Sequence, residues 1–187
     1  MRVFLDFEAS SLSRQSYPIE IGWVFEDGRS GTCLIKPAET WTEWDPAAEA
    51  IHHISRDMLE RDGVPYDIVA RKTVDALTGH ALLASAPSWD GKWMSRLLRA
   101  AGFPRHSLRL GDSDTDALAC ARAILDPVVP AAQIDTVLQH LLAGVREPAG
   151  GQPPAHRALP DALEERRRHR ALTCAAEALA VAYRQGC

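Results

Sequence analysis

Asp6 and Glu8 stand two residues apart in RVFLDFEA, a stretch rich in β-branched and aromatic types that reads as a strand over residues 2–8. Side chains alternate along a strand, so both carboxylates leave one face together with Phe4, while Val3, Leu5 and Phe7 share the other. Two carboxylates side by side in an apolar strand repel each other and resist desolvation. A divalent cation would relieve both costs, because hard cations prefer carboxylate oxygen. A solvated acidic face on an edge strand would fit this pair alone equally well.

Further acids and a histidine follow in the chain. Asp90 lies in SAPSWDGKWM, at the start of a segment with helical spacing. There it is a metal ligand or simply a first-turn acid favoured by the helix dipole. His156 and Asp161 lie in HRALPDA, after REPAGGQPPA, a segment dense in proline and glycine that is expected to be a mobile loop over 146–155. Within one helix, five residues would turn these two side chains apart by about 140°. A helix beginning near Pro160 puts Asp161 in its first turn and leaves His156 on the preceding loop. A loop histidine beside a carboxylate suits a general base, since imidazole titrates near neutrality. A surface histidine followed by a dipole acid is the plainer alternative.

The elements that must position these groups can be read along the chain. Strands are expected at 17–26 and 32–35, with Asp27-Gly28 as the turn between them. Short helices are expected near Pro46 and Arg56. Helices then fall at 66–77, 88–101, 114–125 and 131–143, with short strands at 81–84 and 107–110 between them. A last helix runs from Pro160 to about Tyr183. Strands first, then alternating helix and strand, imply a mixed sheet, antiparallel at its start and parallel later, flanked by helices in the α/β class. At 187 residues and 46 % hydrophobic content, the chain is expected to form a single domain over 1–187.

Taken in order, these segments resemble the DnaQ-like (DEDDh) 3′→5′ exonuclease family. FLDFEASSL is similar to its first motif, YPIEIGWV to the strand that follows, and IHHIS to the short stretch after that. SAPSWDGKWM is similar to the second motif, with Asp90 as its acid. HRALPDA matches the third, His-x-Ala-x-x-Asp-Ala, at every specified position. The resemblance spans residues 3–162 and implies an RNase H-like fold. It also implies a site of Asp6, Glu8, Asp90 and Asp161 holding two Mg²⁺ or Mn²⁺ ions, with His156 as general base. Asp6 would touch both ions, Glu8 and Asp161 the ion carrying the attacking water, and Asp90 would assist.

Substrate contacts are expected from Ala9, Ser10, Ser11, Leu12, His52 and Trp89. The expected partner is a single-stranded 3′ end of DNA or RNA, and a homodimer is left open. Ala9 and Ala86 depart from the family motifs, which keeps a second function in view: an inactive exonuclease-fold module that only binds nucleic acid. Trp41 and Trp44, in an irregular segment, are expected to stack on bases, whereas Trp89 and Trp93, at helical spacing, read as core. The HRAL string recurs at His169, but Cys174 stands where the acid would be. The arginines 166, 167, 168 and 170 read as a solvated helix face.

Bulk properties exclude several classes. A formal net charge of −4 does not suit a protein that coats nucleic acid by bulk electrostatics. Contact with a polyanion must then be local. Cys33, Cys120, Cys174 and Cys187 show no metal-ligand or redox spacing, which suggests reduced thiols and a cytoplasmic location. No stretch approaches the ~18 apolar residues of a membrane span.

Overall fold

A computed structural model describes residues 1–146 and 156–185. The segment expected to be a mobile loop lies outside these residues, apart from Arg146. Six strands form one sheet in the order β4-β3-β2-β1-β5-β6. They are β1 (Arg2–Ala9), β2 (Pro18–Phe25), β3 (Ser30–Lys36), β4 (Val64–Pro65), β5 (Ala81–Ala84) and β6 (Leu110–Asp112). The first three pair antiparallel, and β5 and β6 extend the sheet in parallel with β1. The mixed α/β sheet expected from the sequence is therefore present.

The helices are α1 (Pro46–His52), α2 (Arg56–Asp62), α3 (Tyr66–Leu77), α4 (Pro87–Ala100), α5 (Ser113–Leu125), α6 (Ile134–Arg146) and α7 (Ala158–Gln185). Local chemistry sets several starts. Asp45, Ser55 and Asp112 each accept a backbone N–H with their side chain at the N-termini of α1, α2 and α5. Pro87 occupies the first turn of α4.

β1 sits at the centre of the sheet, and its alternation divides the core. Val3, Leu5 and Phe7 point into the main apolar cluster with Ile19, Ile21, Leu77, Trp93 and Leu97. Phe4, on the opposite face, packs with Val24, Leu83 and Ala162, which joins α7 to the sheet. A further cluster is built among α5, α6 and α7 from Ala117, Ala121, Leu125, Leu138, Leu142, Leu172, Ala176 and Ala180. The small residues on α5 and α7 let those helices approach closely.

Three expectations are corrected. The strand expected at 107–110 is shifted to 110–112, because Leu110 must sit opposite Leu82 and the preceding residues turn, with Ser107 N donating to Pro104 O at 3.2 Å. The helix expected from 131 starts at Ile134, after a turn in which Gln133 N donates to Pro130 O. The last helix starts two residues before Pro160, because the proline needs no amide partner and Asp161 N already reaches Arg157 O at 3.1 Å. No helix among the described residues is long and apolar enough to cross a membrane.

Candidate active site

Centrality of β1 removes the reading of Asp6 and Glu8 as a solvated edge. Their face is covered by the start of α7, and the sequence of β2 explains how α7 comes so close. Gly22 lies opposite Asp6, and Glu20 lies opposite Glu8. A Cβ on Gly22 would fall 2.3 Å from Leu159 N and 2.4 Å from the Ala158 carbonyl carbon. Only glycine leaves room for the α7 backbone there.

Glu20 then fixes the helix in place. Its carboxylate is almost wholly buried and accepts from Arg157 Nε at 3.0 Å, Arg157 Nη2 at 2.6 Å and Ala158 N at 3.0 Å. The two-pronged guanidinium contact fixes angle as well as distance. Asp161, in the first turn of α7, is thereby carried to β1. One carboxylate oxygen each from Asp6, Glu8 and Asp161 fall within 4.8 Å of one another.

Asp90 completes the cluster from the first turn of α4. It is 2 % exposed, and its Oδ2 is buried without a hydrogen-bond partner. Burial raises its pKa to about 7 against backbone hydrogen bonds, including one from Phe7. Burial first, then repulsion from Asp90, Glu8 and Asp161, pushes Asp6 up to about 9. Glu8 rises to about 8, again through burial and then Asp161 and Glu20, with Arg157 pulling the other way. Acids this perturbed are poised to trade protons for a cation.

The oxygen-only donor set and the orphaned Asp90 oxygen fit a hard divalent ion. His156 is exposed, adopts φ 47°, and immediately precedes the anchored Arg157. Its backbone is thus held within one residue of the site by the Glu20 contact.

Sequence reasoning missed two residues. Glu20 has no family-motif role in the reading above, and its signal was an acid within an otherwise apolar strand, opposite Glu8. Glu165 is the other. It is 3 % exposed, lies one turn after Asp161, and accepts a short hydrogen bond from the Ser113 hydroxyl. Burial raises its pKa to about 7, and it adds to the repulsion on Asp6. Its signal was the four-residue spacing from Asp161, which places both on one helix face.

The expected substrate-contacting residues divide. Leu12 is 71 % and Trp89 38 % exposed, so both present apolar surface. Ala9, Ser10 and Ser11 are buried, and the two hydroxyls donate to Glu43 at 2.8 and 2.5 Å. His52 is buried against Trp44, and its Nδ1 accepts from Ile54 N. Desolvation lowers its pKa, which favours the neutral ring, although Glu49 and Glu20 pull the other way. The tryptophan expectations are partly reversed: Trp41 is core, stacked on Tyr17 and tilted against Tyr66, whereas Trp89 is at the surface. Trp93 is core as expected, donating to Ser16. Trp44 is half-buried, with Nε1 donating to Glu49.

His169 is committed elsewhere, bonded through Nε2 to Asp116 at 2.9 Å and edge-on to Phe4. Asp116, Cys120 and His169 also bring three potential ligand atoms within 4.8 Å. Arg2 already supplies the positive charge there, donating to Asp116 at 2.6 Å and Cys120 at 2.8 Å. Within the arginine run, Arg166 donates to Glu26 O and Arg167 pairs with Glu164.

No family model matches this sequence, and no curated protein matches it. Solved structures do. The zinc-bound form of the E. coli exonuclease I–ssDNA complex superimposes with a TM-score of 0.66 at 17 % identity, covering 97 % of this chain and 42 % of that one. E. coli exonuclease I with a dA16 oligonucleotide gives 0.65 at 17 % identity, covering 92 % and 40 %. An apo exonuclease I gives 0.64 at 16 % identity, covering 92 % and 42 %. The chain spans about two fifths of the length of these exonuclease I chains. The shared architecture is the RNase H-like fold, as the sequence motifs implied.

Proposed function

We propose that this chain is a metal-dependent 3′→5′ exonuclease of the DnaQ-like (DEDDh) type, acting on single-stranded ends of DNA or RNA. One observation carries the reading. Four acids from β1, α4 and α7, elements far apart in sequence, converge on one half-buried position where like charges repel unless a cation or protons offset them. The exonuclease I structures share the fold that makes this convergence.

Asp6, Glu8 and Asp161 would be the ligands, and Asp90 would join them directly or through water. Two bound Mg²⁺ or Mn²⁺ ions would supply Lewis acidity and charge neutralisation at the phosphate. The residues do the rest. His156 accepts a proton from the attacking water as the new P–O bond forms. The P–O3′ bond to the penultimate nucleotide breaks, the departing 3′-oxygen takes a proton from solvent water, and a nucleoside 5′-monophosphate leaves. Glu20 and Arg157 act as positioning residues, holding Asp161 and His156 in register with β1.

Product identity tests the proposal. A single-stranded oligonucleotide incubated with the protein and Mn²⁺ should yield nucleoside 5′-monophosphates by chromatography, and Asp6→Asn should yield none. Strand binding with no release of mononucleotide would favour the inactive binding module. Nucleoside 3′-monophosphates would contradict the chemistry altogether.

A further inference from the structure

We propose that the outer face of α4 and the α4–β6 connection form a second, non-catalytic groove that binds the phosphodiester backbone of a single strand. This rests on the exonuclease reading above and specifies the length of substrate that the enzyme favours. The groove is a surface cavity of about 570 Å³. From α4 it takes Ser88, Gly91, Lys92, Ser95 and Arg99, which recur at helical spacing as one stripe. From the connection it takes Arg105, His106 and Arg109. Its lining carries four permanent cations and no Asp or Glu. In a chain of net charge −4, that is a local concentration of positive charge of the kind a polyanion requires.

The cations are not spent on internal ion pairs. Arg105, His106 and Arg109 are exposed and make no side-chain hydrogen bond or salt bridge among the described residues. Arg99 donates only to the Ser95 carbonyl. Lys92 is held by Ser13 O and Ser16 Oγ and lies over the exposed Trp89 ring at 4.8 Å. Trp89 thus offers a stacking surface at the head of the stripe, beside fixed positive charge.

Position links the groove to the active site without merging them. Ser88 and Gly91 flank Asp90 in the first turn of α4, but the stripe lies on the side of the helix turned away from the Asp90 carboxylate. A strand whose 3′ end sits among the acids would pass Trp89 and run along α4 toward Arg105 and Arg109. From Ser88 to Arg99 the helix rises about 16 Å, enough for several phosphates. A dinucleotide could not reach the far end, so the groove should favour longer strands.

The test separates this groove from the catalytic reading. Binding of a fluorescein-labelled oligothymidylate of about 20 nucleotides is measured by anisotropy in EDTA, against salt, for the wild type and Arg105→Glu/Arg109→Glu. Both side chains are exposed and outside the catalytic cluster. The variant should bind about tenfold more weakly, and its slope of log affinity on log salt should shrink by about 1.4, for two lost phosphate contacts on a single strand. In Mn²⁺, turnover of a p-nitrophenyl ester of thymidine 5′-monophosphate should be unchanged in the variant, since that substrate is too short to reach the groove. Unchanged strand affinity and salt slope, or an equal loss on the small ester, would overturn the groove. Salt-dependent binding lost in the variant, with no hydrolysis by the wild type, would keep the groove and overturn the exonuclease.

Discussion

At the residue scale, the acids at the centre of the fold are an electrostatic liability that a bound cation would offset. The pKa values of Asp6 and Glu8 are raised to about 9 and 8, and that of Asp90 to about 7. The native metal-free state therefore holds protons that the unfolded chain releases near pH 4. Stability from these groups is fully present at low pH and is lost as pH rises through the folded-state values. In EDTA, thermal stability should thus decline between about pH 5 and pH 9. Mn²⁺ should restore more of it at pH 9 than at pH 5, and Asp6→Asn should flatten the EDTA profile. A thermal-shift series across pH checks both, and a metal-free profile that rises toward pH 9 would refute the assignment. His156 should behave differently from the acids. His156→Ala should leave calorimetric Mn²⁺ affinity nearly intact while the rate falls by about 10²–10⁴. Asp161→Asn should weaken the metal itself. Asp6, Glu8, Asp90 and Asp161 were legible because a short-range spacing or a motif marks each. Glu165 was harder to read, because one of two adjacent glutamates in a charged helix segment looks solvated until α5 brings Ser113 against it.

At the scale of elements, the seat of α7 on β2 decides whether the site exists. Gly22 leaves room for the helix backbone, and Glu20 clamps its first turn. Gly22→Ala should push the Ala158–Leu159 backbone away, at a cost of about 1–3 kcal/mol. For a chain of this size that corresponds to a drop in melting temperature of about 2–4 °C per kcal/mol. Mn²⁺ affinity should fall with it, because Asp161 rides on the displaced turn. An alanine variant that melts like the wild type and binds Mn²⁺ equally well would mean that α7 is positioned by something else. The helices and strands themselves were mostly legible from periodicity and turn residues. The shifts occurred where pairing overrides local pattern, as at β6, whose residues are chosen by β5 rather than by their own propensity. Trp41 was misjudged for a related reason: a tryptophan in an irregular segment looked free, yet Tyr17 and Tyr66 enclose it.

At the scale of the whole molecule, a sheet with β1 at its centre gathers acids from both flanking layers: α4 from one side, α7 from the other. Net negative charge is compatible with a polyanionic substrate if, as proposed, ions at the site and the α4 groove supply positive charge where it is needed. The central claim is that this arrangement works as a metal-dependent exonuclease, and strand shortening under metal control tests it most directly. A 5′-labelled single strand is incubated with protein stripped by EDTA, and Mn²⁺ is then restored in steps. The predicted result is an intact strand in chelator and, on adding metal, a ladder that shortens one nucleotide at a time from the 3′ end. Full shortening in excess chelator, or an intact strand at saturating Mn²⁺, would contradict it.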